Sequence, residues 1–356
     1  MKRKFLWLLL TGISAIAIVV FLFGTSQEII HHRNNFVRRF SDQVAQTCEA
    51  DLKFNSFYFA GAANGQLYLG NFTAPLRLAK IDTALKTIRK QTIVLDRLDL
   101  PFRSVEIHIQ NSYFFVTDGT VPCVFRGKLD LLKANWLDSK LPASFSHIQI
   151  IDSNSAAYTT SDRNGESILG MTHLGEGAGS TTNPLLLQKQ IDGNFDLDGT
   201  LQYDAIAKKL VYVYLYRNQF IVSNPDLSLD YSGNTIDTIS KAQIRIVKIS
   251  SSGDQKLAAP PLIVNKTAAT SRGLLFVNSA LIGKYEQEKL WDQAKVIDVY
   301  DLKDGSYVAS FYIYHIGKQK MRSFYVSGNM VYALIGEHIV GYRLTPMITK
   351  HFIKNE

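Results

Sequence analysis

The chain has 356 residues, 46% of them hydrophobic and 20% charged, with 39 Lys and Arg against 31 Asp and Glu and a formal net charge of +8. That length and apolar content suffice to bury a core without staples, and two cysteines exclude a disulfide-dense scaffold. The charges are scattered, not gathered in a stripe, so nucleic acid is not an expected partner and the attraction to acidic surfaces is mild.

Lys2, Arg3 and Lys4 precede an uncharged apolar run over residues 5–23. As a helix that run is long enough to cross a hydrocarbon core of about 30 Å. The basic cluster is expected to stay in the cytoplasm, placing a single-pass anchor in the cell membrane and the rest of the chain on the periplasmic or extracytoplasmic side. The alternative is a secretory signal cut after Ser26. The length of the run and its bulky end, Val19-Val20-Phe21-Leu22-Phe23, favour an uncleaved anchor. The expected organisation is a cytoplasmic tip and anchor over 1–26, a juxtamembrane helix or linker over 27–54, and the main domain over 55–356. In the linker Ile29, Ile30, Phe36, Val37, Phe40 and Val44 recur at helical spacing, which predicts a helix over 28–52.

From Phe57 onward the pattern becomes short β-rich runs between turn residues. One phrase recurs, a turn pair followed by an apolar and aromatic strand. It begins at Asn64-Gly65, Asn111-Ser112, Asn154-Ser155, Lys208-Lys209, Arg272-Gly273 and Gly328-Asn329. Three or four strands repeated every ~40–50 residues is the period of a propeller blade. On these phrases residues 55–346 resemble the β-propeller superfamily, as in bacterial extracytoplasmic propellers of six or seven blades. No W-D, kelch or Y-W-T-D signature repeats. The resemblance implies an all-β fold, a single six-bladed propeller, with seven blades as the alternative count and a pair of β-sandwiches as the alternative fold. The longer intervals fit extended outer hairpins over 242–264 and 296–313. The last runs, 339–344 and 348–353, are expected to complete the blade begun near Phe57.

Two stretches carry candidate chemistry. Asn194, Asp196 and Asp198 alternate before Gly199, as oxygen ligands do at the start of a calcium loop, but Gln202 and Ala205 stand where a further carboxylate is needed. The plainer reading of the stretch is a β-hairpin with Asp-Gly at its turn. Calcium is the one cofactor with any support. In the second stretch strict alternation puts Tyr212, Tyr214 and Tyr216 on one strand face, ending at Arg217 and Asn218. Tyr214, Tyr216, Arg217 and Asn218 could line a ligand groove through phenols and a guanidinium. The plainer reading is aromatic packing between blades. Thr235, Asp237 and Thr238 are polar groups nearby in sequence.

No nucleophile motif is present, and Ser251-Ser252-Gly253 reads as a polar turn. His31 and His32 sit beside the anchor. His108, His147, His173, His315 and His338 are dispersed, and only a propeller axis could bring several together. Gly175, Gly177 and Gly179 are followed by no periodic helix that would hold a phosphate. Cys48 and Cys123 could pair in an oxidising compartment or remain free thiols. Asn71 and Asn265 open glycosylation sequons. The expected function is a membrane-tethered binding or scaffold module for an envelope protein, peptide or glycan. The alternative is a propeller enzyme (hydrolase, lyase or quinone-dependent dehydrogenase) with a site dispersed over several blades.

Overall fold

Each recurrent phrase of the sequence folds as the first hairpin of a four-stranded antiparallel sheet, and six such sheets form a ring. The computed structural model describes residues 2–31, 35–42, 44–175, 177, 179–248 and 255–354. Blade I comprises Phe57–Ala63, Gln66–Asn71, Arg77–Asp82 and Ile88–Thr92. Blade II is built from Val105–Gln110, Tyr113–Asp118, Cys123–Lys128 and Lys133–Trp136, with Val94–Leu95 added in parallel at its outer edge. Blade III holds His147–Asp152, Ser155–Ser161, Ser167–His173 and Ser180–Asn183, and blade IV Gly199–Asp204, Lys209–Tyr214, Gln219–Ser223 and Leu229–Asn234. Blade V is Asn265–Ser271, Leu274–Ser279, Ala294–Asp301 and Tyr307–Tyr314. Blade VI takes Met321–Ser327, Met330–Ile335 and His338–Arg343 from the end of the chain.

The turn pairs explain themselves. Asn64, Asn111, Lys208 and Arg272 adopt positive φ between 52° and 55°, followed in two cases by glycine, and Gly328 does the same at 58°. At Asn64, Asn111, Arg272 and Gly328 the left-handed residue closes a two-residue hairpin whose twist matches the strands, and Lys208 ends a four-residue loop between Asp204 and Lys209.

No single core fills the ring. Six apolar clusters each join two neighbouring blades, from blades I and II around Ile107 and Phe114 round to blades VI and I around Leu67 and Leu334. Successive side chains on a strand point to opposite faces, so Phe114 packs toward blade I while Phe115 packs toward blade III. A sheet covered on both faces reads as an unbroken apolar run.

The ring closes with a strand from the start of the chain. Ala45–Asp51 pairs antiparallel with His338–Arg343 as the fourth strand of blade VI. The helix predicted over 28–52 is therefore wrong at its C-terminal end, where the chain is extended. The apolar positions read as one helical face are instead an alternation, with Phe36 and Arg38 buried and Val37 and Arg39 exposed. The run 348–353 is not a strand. A short helix, Pro346–Thr349, starts at Pro346, and the chain then packs against the Arg272-Gly273 turn of blade V. The span 242–264 contains a separate two-stranded hairpin, Ile246–Lys248 with Gln255–Leu257, outside every blade.

At the N-terminus Lys2–His31 is one continuous helix, α1. Among the described residues no helix is long and apolar enough to cross a membrane, so the expected spanning anchor over 5–23 does not meet that test. Trp7, Ile16, Val19 and Phe23 on α1 are nonetheless exposed. His32 and Arg33 lie outside the described residues.

Between α1 and the closing strand, residues 36–42 strap blade V. Ser310 N–H donates to Arg39 O (2.9 Å), Ser41 N–H donates to Ser310 O (2.8 Å), and Phe40 stacks on Tyr312 at 4.4 Å. Arg38 inserts a fully buried guanidinium. Its Nε and Nη2 donate to the two oxygens of Asp298 (2.7 and 3.0 Å), Nη1 donates to Glu286 (2.7 Å) and Nη2 also to Ser279 Oγ (2.8 Å). Burial alone would lower its proton affinity, but Asp298 and Glu286 raise it well above the ordinary value. Two carboxylates thus share one cation from the opposite end of the chain. Arg38→Ala leaves both buried and unpaired, and urea unfolding is expected to show a loss on the order of 3–5 kcal/mol. A loss under about 1 kcal/mol, as for an exposed pair, would show that the strap does not hold the ring.

Candidate functional site

The six inner strands ring the axis in chain order, each touching the next, and Phe57–Ala63 meets Met321–Ser327 to complete the circle. Inside them lies a cavity of about 660 Å³ with walls from all six blades. Alternation decides what it presents. In Val105–Gln110, Ile107 and Ile109 face the packed interface with blade I, which leaves Glu106, His108 and Gln110 lining the cavity. The same rule contributes Gln149, Gln202, Thr270 and Ser323, and aromatic rings come from Tyr58, Phe59, Phe72, Tyr203 and Tyr325. At Gly61 the inner strands of blades I and II approach so closely that a Cβ would stand 2.7 Å from Ile109 O, and φ there is +139°.

The polar lining divides into groups the fold already uses and groups it does not. Asp204 is used: its Oδ1 accepts the N–H groups of Ile206 and Ala207, and its Oδ2 accepts that of Gly273 (2.9 Å), tying blade IV to blade V. Arg272 reaches Ile353 O (3.3 and 3.4 Å) and lies over the Phe352 ring. Gln110 Nε2 donates to Ile151 O (3.0 Å), bridging blades II and III. His108 Nε2 is 3.0 Å from Thr117 Oγ1, and burial pushes its pKa down to about 4, so the ring is neutral. Among the described residues Gln149, Gln202 and Thr270 Oγ1 have no side-chain partner. Glu106 has its pKa raised by burial.

The residues singled out in sequence lie elsewhere, in the connection into blade IV and at the end of its second strand. Tyr214 and Arg217 are fully buried and Tyr216 is nearly so. The Tyr214 ring lies 3.6 Å beneath the guanidinium, Arg217 Nη2 donates to Gln188 O (2.6 Å), and Nη1 stands 4.0 Å from Asp196. Asn218 is half-buried and donates to Asp237 O (2.6 Å). The expected open corner is a closed joint, because the tyrosine row points into the apolar cluster between blades III and IV.

In the candidate cation loop Asn194 is exposed, Asp196 buried and Asp198 half-buried. The Asp196 carboxylate accepts four backbone N–H groups, from Gln190 (2.5 Å), Ile191 (3.1 Å), Asp192 (3.1 Å) and Gly193 (2.6 Å). Those peptide groups occupy the lone pairs a cation would need; burial would raise the pKa, but the Asp192 side chain and these peptide groups hold it low. Asp198 is pushed up to about 6 by burial and by Asp192 and Asp196. Among the described residues no group of three His, Cys, Asp or Glu is placed to hold a metal.

Of the dispersed histidines only His108 reaches the axial cavity. His173 is exposed beside Ser155, and His338 stands 2.9 Å from Glu49 on the closing strand. Ser251-Ser252-Gly253 lies outside the described residues. Thr235 and Asp237 are buried and bonded to each other (2.6 Å). Both cysteines are free. The sequon residues Asn71 and Asn265 are buried; Asn71 Oδ1 caps a turn at Thr73 and Ala74, and Asn265 Nδ2 donates to Tyr214 O and Arg217 O.

No family model matches the chain, and no curated protein matches it. Solved structures with a similar chain path include a member of the DUF4221 family from Bacteroides vulgatus (10% identity, 87% of this chain and 97% of that one, TM-score 0.47). The calcium-binding protein regucalcin from Agrobacterium tumefaciens is similar over 88% of this chain and 96% of its own (11% identity, TM-score 0.43). An inactive virginiamycin B lyase from Staphylococcus aureus with quinupristin is similar over 83% and 98% (11% identity, TM-score 0.44). At such identities and scores the likeness assigns neither a family nor an activity to this chain.

Two measurements check the division between used and unused groups. Asp196→Ala strands four N–H groups and is expected to cost on the order of 3 kcal/mol in urea unfolding, with Asp196→Asn costing less because an amide oxygen still accepts. His108 is neutral in the fold, with a pKa of about 4 against an ordinary 6.5. Its contribution is therefore complete above the unfolded value of about 6.5 and is lost as pH falls toward 4. His108→Gln is expected to lose roughly 2–3 kcal/mol less than the unaltered chain between pH 7 and pH 4. Parallel stability curves would show that His108 is protonated in the fold.

Proposed function

We propose that this protein is a binding module that takes a neutral polar ligand, an oligosaccharide or a peptide segment, in its axial channel. One observation carries the reading. Of the cavity's charge-bearing side chains, Asp204, Arg272 and His108 already hydrogen-bond within the fold, leaving Glu106, and the other groups left over are amides, hydroxyls and aromatic rings. Amides donate and accept at once, and rings stack on sugar faces or peptide planes, which suits an uncharged ligand rich in hydrogen-bonding groups. The volume lies within the range of about 300–1,000 Å³ usual for ligand pockets.

The tether belongs to the same reading. Lys2–His31 is helical over its whole length, and its exposed Trp7, Ile16, Val19 and Phe23 favour a lipid environment by roughly 25 cal/mol for each Å² removed from water. The cluster Lys2-Arg3-Lys4 ahead of the apolar run supports a placement of the propeller outside the cytoplasm.

Glu106 gives the enzyme reading its one specific support, since burial raises its pKa and a raised carboxyl pKa suits a general acid. Arrays of oligosaccharides and peptides, probed with the full chain, separate the two. On the best-bound probe, Gln149→Ala and Gln202→Ala are each expected to weaken binding about tenfold, the effect of one lost buried hydrogen bond. Their melting temperatures should stay within about 2 °C of the parent. Unaltered binding in both variants removes the channel as the site. Probe turnover abolished by Glu106→Gln, with binding intact, replaces the binding module by an enzyme.

A further inference from the structure

The two ends of the ring differ. At one end the first and second strands of each blade join through the tight turn pairs. At the other the connections are long, over 184–198, 235–264 and 280–293. The N-terminal segment reaches the propeller at the long-connection end, where Lys284 N–H donates to Phe36 O (2.9 Å). Phe36 is five Cα-to-Cα steps from His31, the last residue of α1, so the end of that helix lies at most about 18 Å from this contact.

At the same end of the ring stand Lys266 at the bulge that opens the inner strand of blade V, Lys284, Lys295 at the start of Ala294–Asp301, and Lys318 and Lys320 in the connection to blade VI. Lys266, Lys284, Lys318 and Lys320 are exposed, and Lys295 is half-buried. In the connections of blade V the acids are fewer than the lysines: Glu286 turns inward to Arg38 and Trp291, and Glu288 and Asp292 remain. Blade VI adds exposed Glu337 and Asp51 at the same end, Asp51 being paired with Lys53 (2.6 Å). Burial, with Lys266 and Lys320 adding to it, lowers the Lys295 pKa to about 8 against the pull of Asp292, so these amines lie within mutual repulsion. Tyr285, 74% exposed, and Val37, 56% exposed, add aromatic and apolar surface beside them.

We infer that this end of blades V and VI docks on a lipid surface bearing anionic headgroups. The inference rests on the proposed partition of α1 into lipid, because the helix end fixes which end of the ring faces the surface. The occupant follows from chemistry. Amines carried by separate connections match a sheet of phosphates, each lysine near such a surface strengthens attachment severalfold, and an exposed tyrosine suits the headgroup layer.

Flotation of the full chain with vesicles of phosphatidylcholine alone, and of phosphatidylcholine with phosphatidylglycerol, tests it. At low salt the anionic vesicles are expected to bind about tenfold more tightly or better, the preference vanishing as salt shortens the Debye length. In Lys266→Glu/Lys320→Glu the preference should disappear while binding to neutral vesicles is unchanged. Both positions are exposed, and the salt series reads the same effect without any substitution. Equal binding to the two vesicles overturns the inference and leaves the tether standing. So does a preference that survives in the variant, or one abolished by millimolar inorganic phosphate at constant ionic strength, which would mark a site for a free anion. Binding to anionic vesicles only, lost in the variant, keeps the docking face and removes helix partitioning. Flotation with neither vesicle removes both.

Discussion

Ring closure is the constraint on which the rest of this structure depends. A propeller has no central core to collapse around. Each blade is stabilised through its two neighbours, and here six separate apolar clusters fill the six interfaces. If one interface opened, two sheets would each expose an apolar face and two unpaired edges. The chain meets this with a strand from its beginning, Ala45–Asp51, laddered onto its last strand, His338–Arg343. The Arg38 guanidinium fixes the approach to that strand by engaging Asp298 and Glu286 in blade V, some 250 residues away. Backbone pairing supplies the cohesion, and the buried ion cluster supplies the register, since a guanidinium fork fits a carboxylate in one orientation.

The same device recurs at Arg217. There too a cation is buried next to an aromatic ring, at the end of a strand and the mouth of a long connection. Its carboxylate, Asp196, is already held by four peptide N–H groups and stands 4.0 Å away. Arg38 satisfies two acids directly, whereas Arg217 leans on the Gln188 carbonyl and the Tyr214 face. Both pins lie at the long-connection end. Tight turns need only left-handed residues, but a long connection has backbone polar groups to satisfy and is held by side chains instead.

Much of the architecture was legible in the sequence because the propeller repeats a local signal. The six turn pairs, from Asn64-Gly65 to Gly328-Asn329, are the first hairpins of the six blades, and the blade count follows from counting them. What sequence could not supply was long-range partnering. Residues 45–51 carry no turn signal and an exposed pattern, because as an outer strand they need only a backbone partner, and the helical spacing around Phe36 and Val44 misdirected the reading. Arg217 read as a ligand residue on the argument that an unpaired guanidinium cannot be buried. Its partners, Gln188 and Asp196, arrive from a connection that no local pattern ties to it.

The cavity was hidden for a related reason. Its wall is written two residues at a time, as Glu106-Ile-His108-Ile-Gln110 in blade II and Gln149 between Ile148 and Ile150 in blade III. In isolation each is an ordinary alternating strand, and alternation is what any half-exposed strand shows. Once the six inner strands are known, the polar member of each alternation must face the axis, because the apolar member is needed between blades. The channel's polarity is therefore a by-product of the packing that closes the ring. The fold has taken Asp204, Arg272, Gln110 and His108 for itself, so few polar groups of the lining remain unengaged. Gln149 and Gln202, from two different blades, line that cavity without a side-chain partner among the described residues, whereas Thr270 Oγ1 is itself buried.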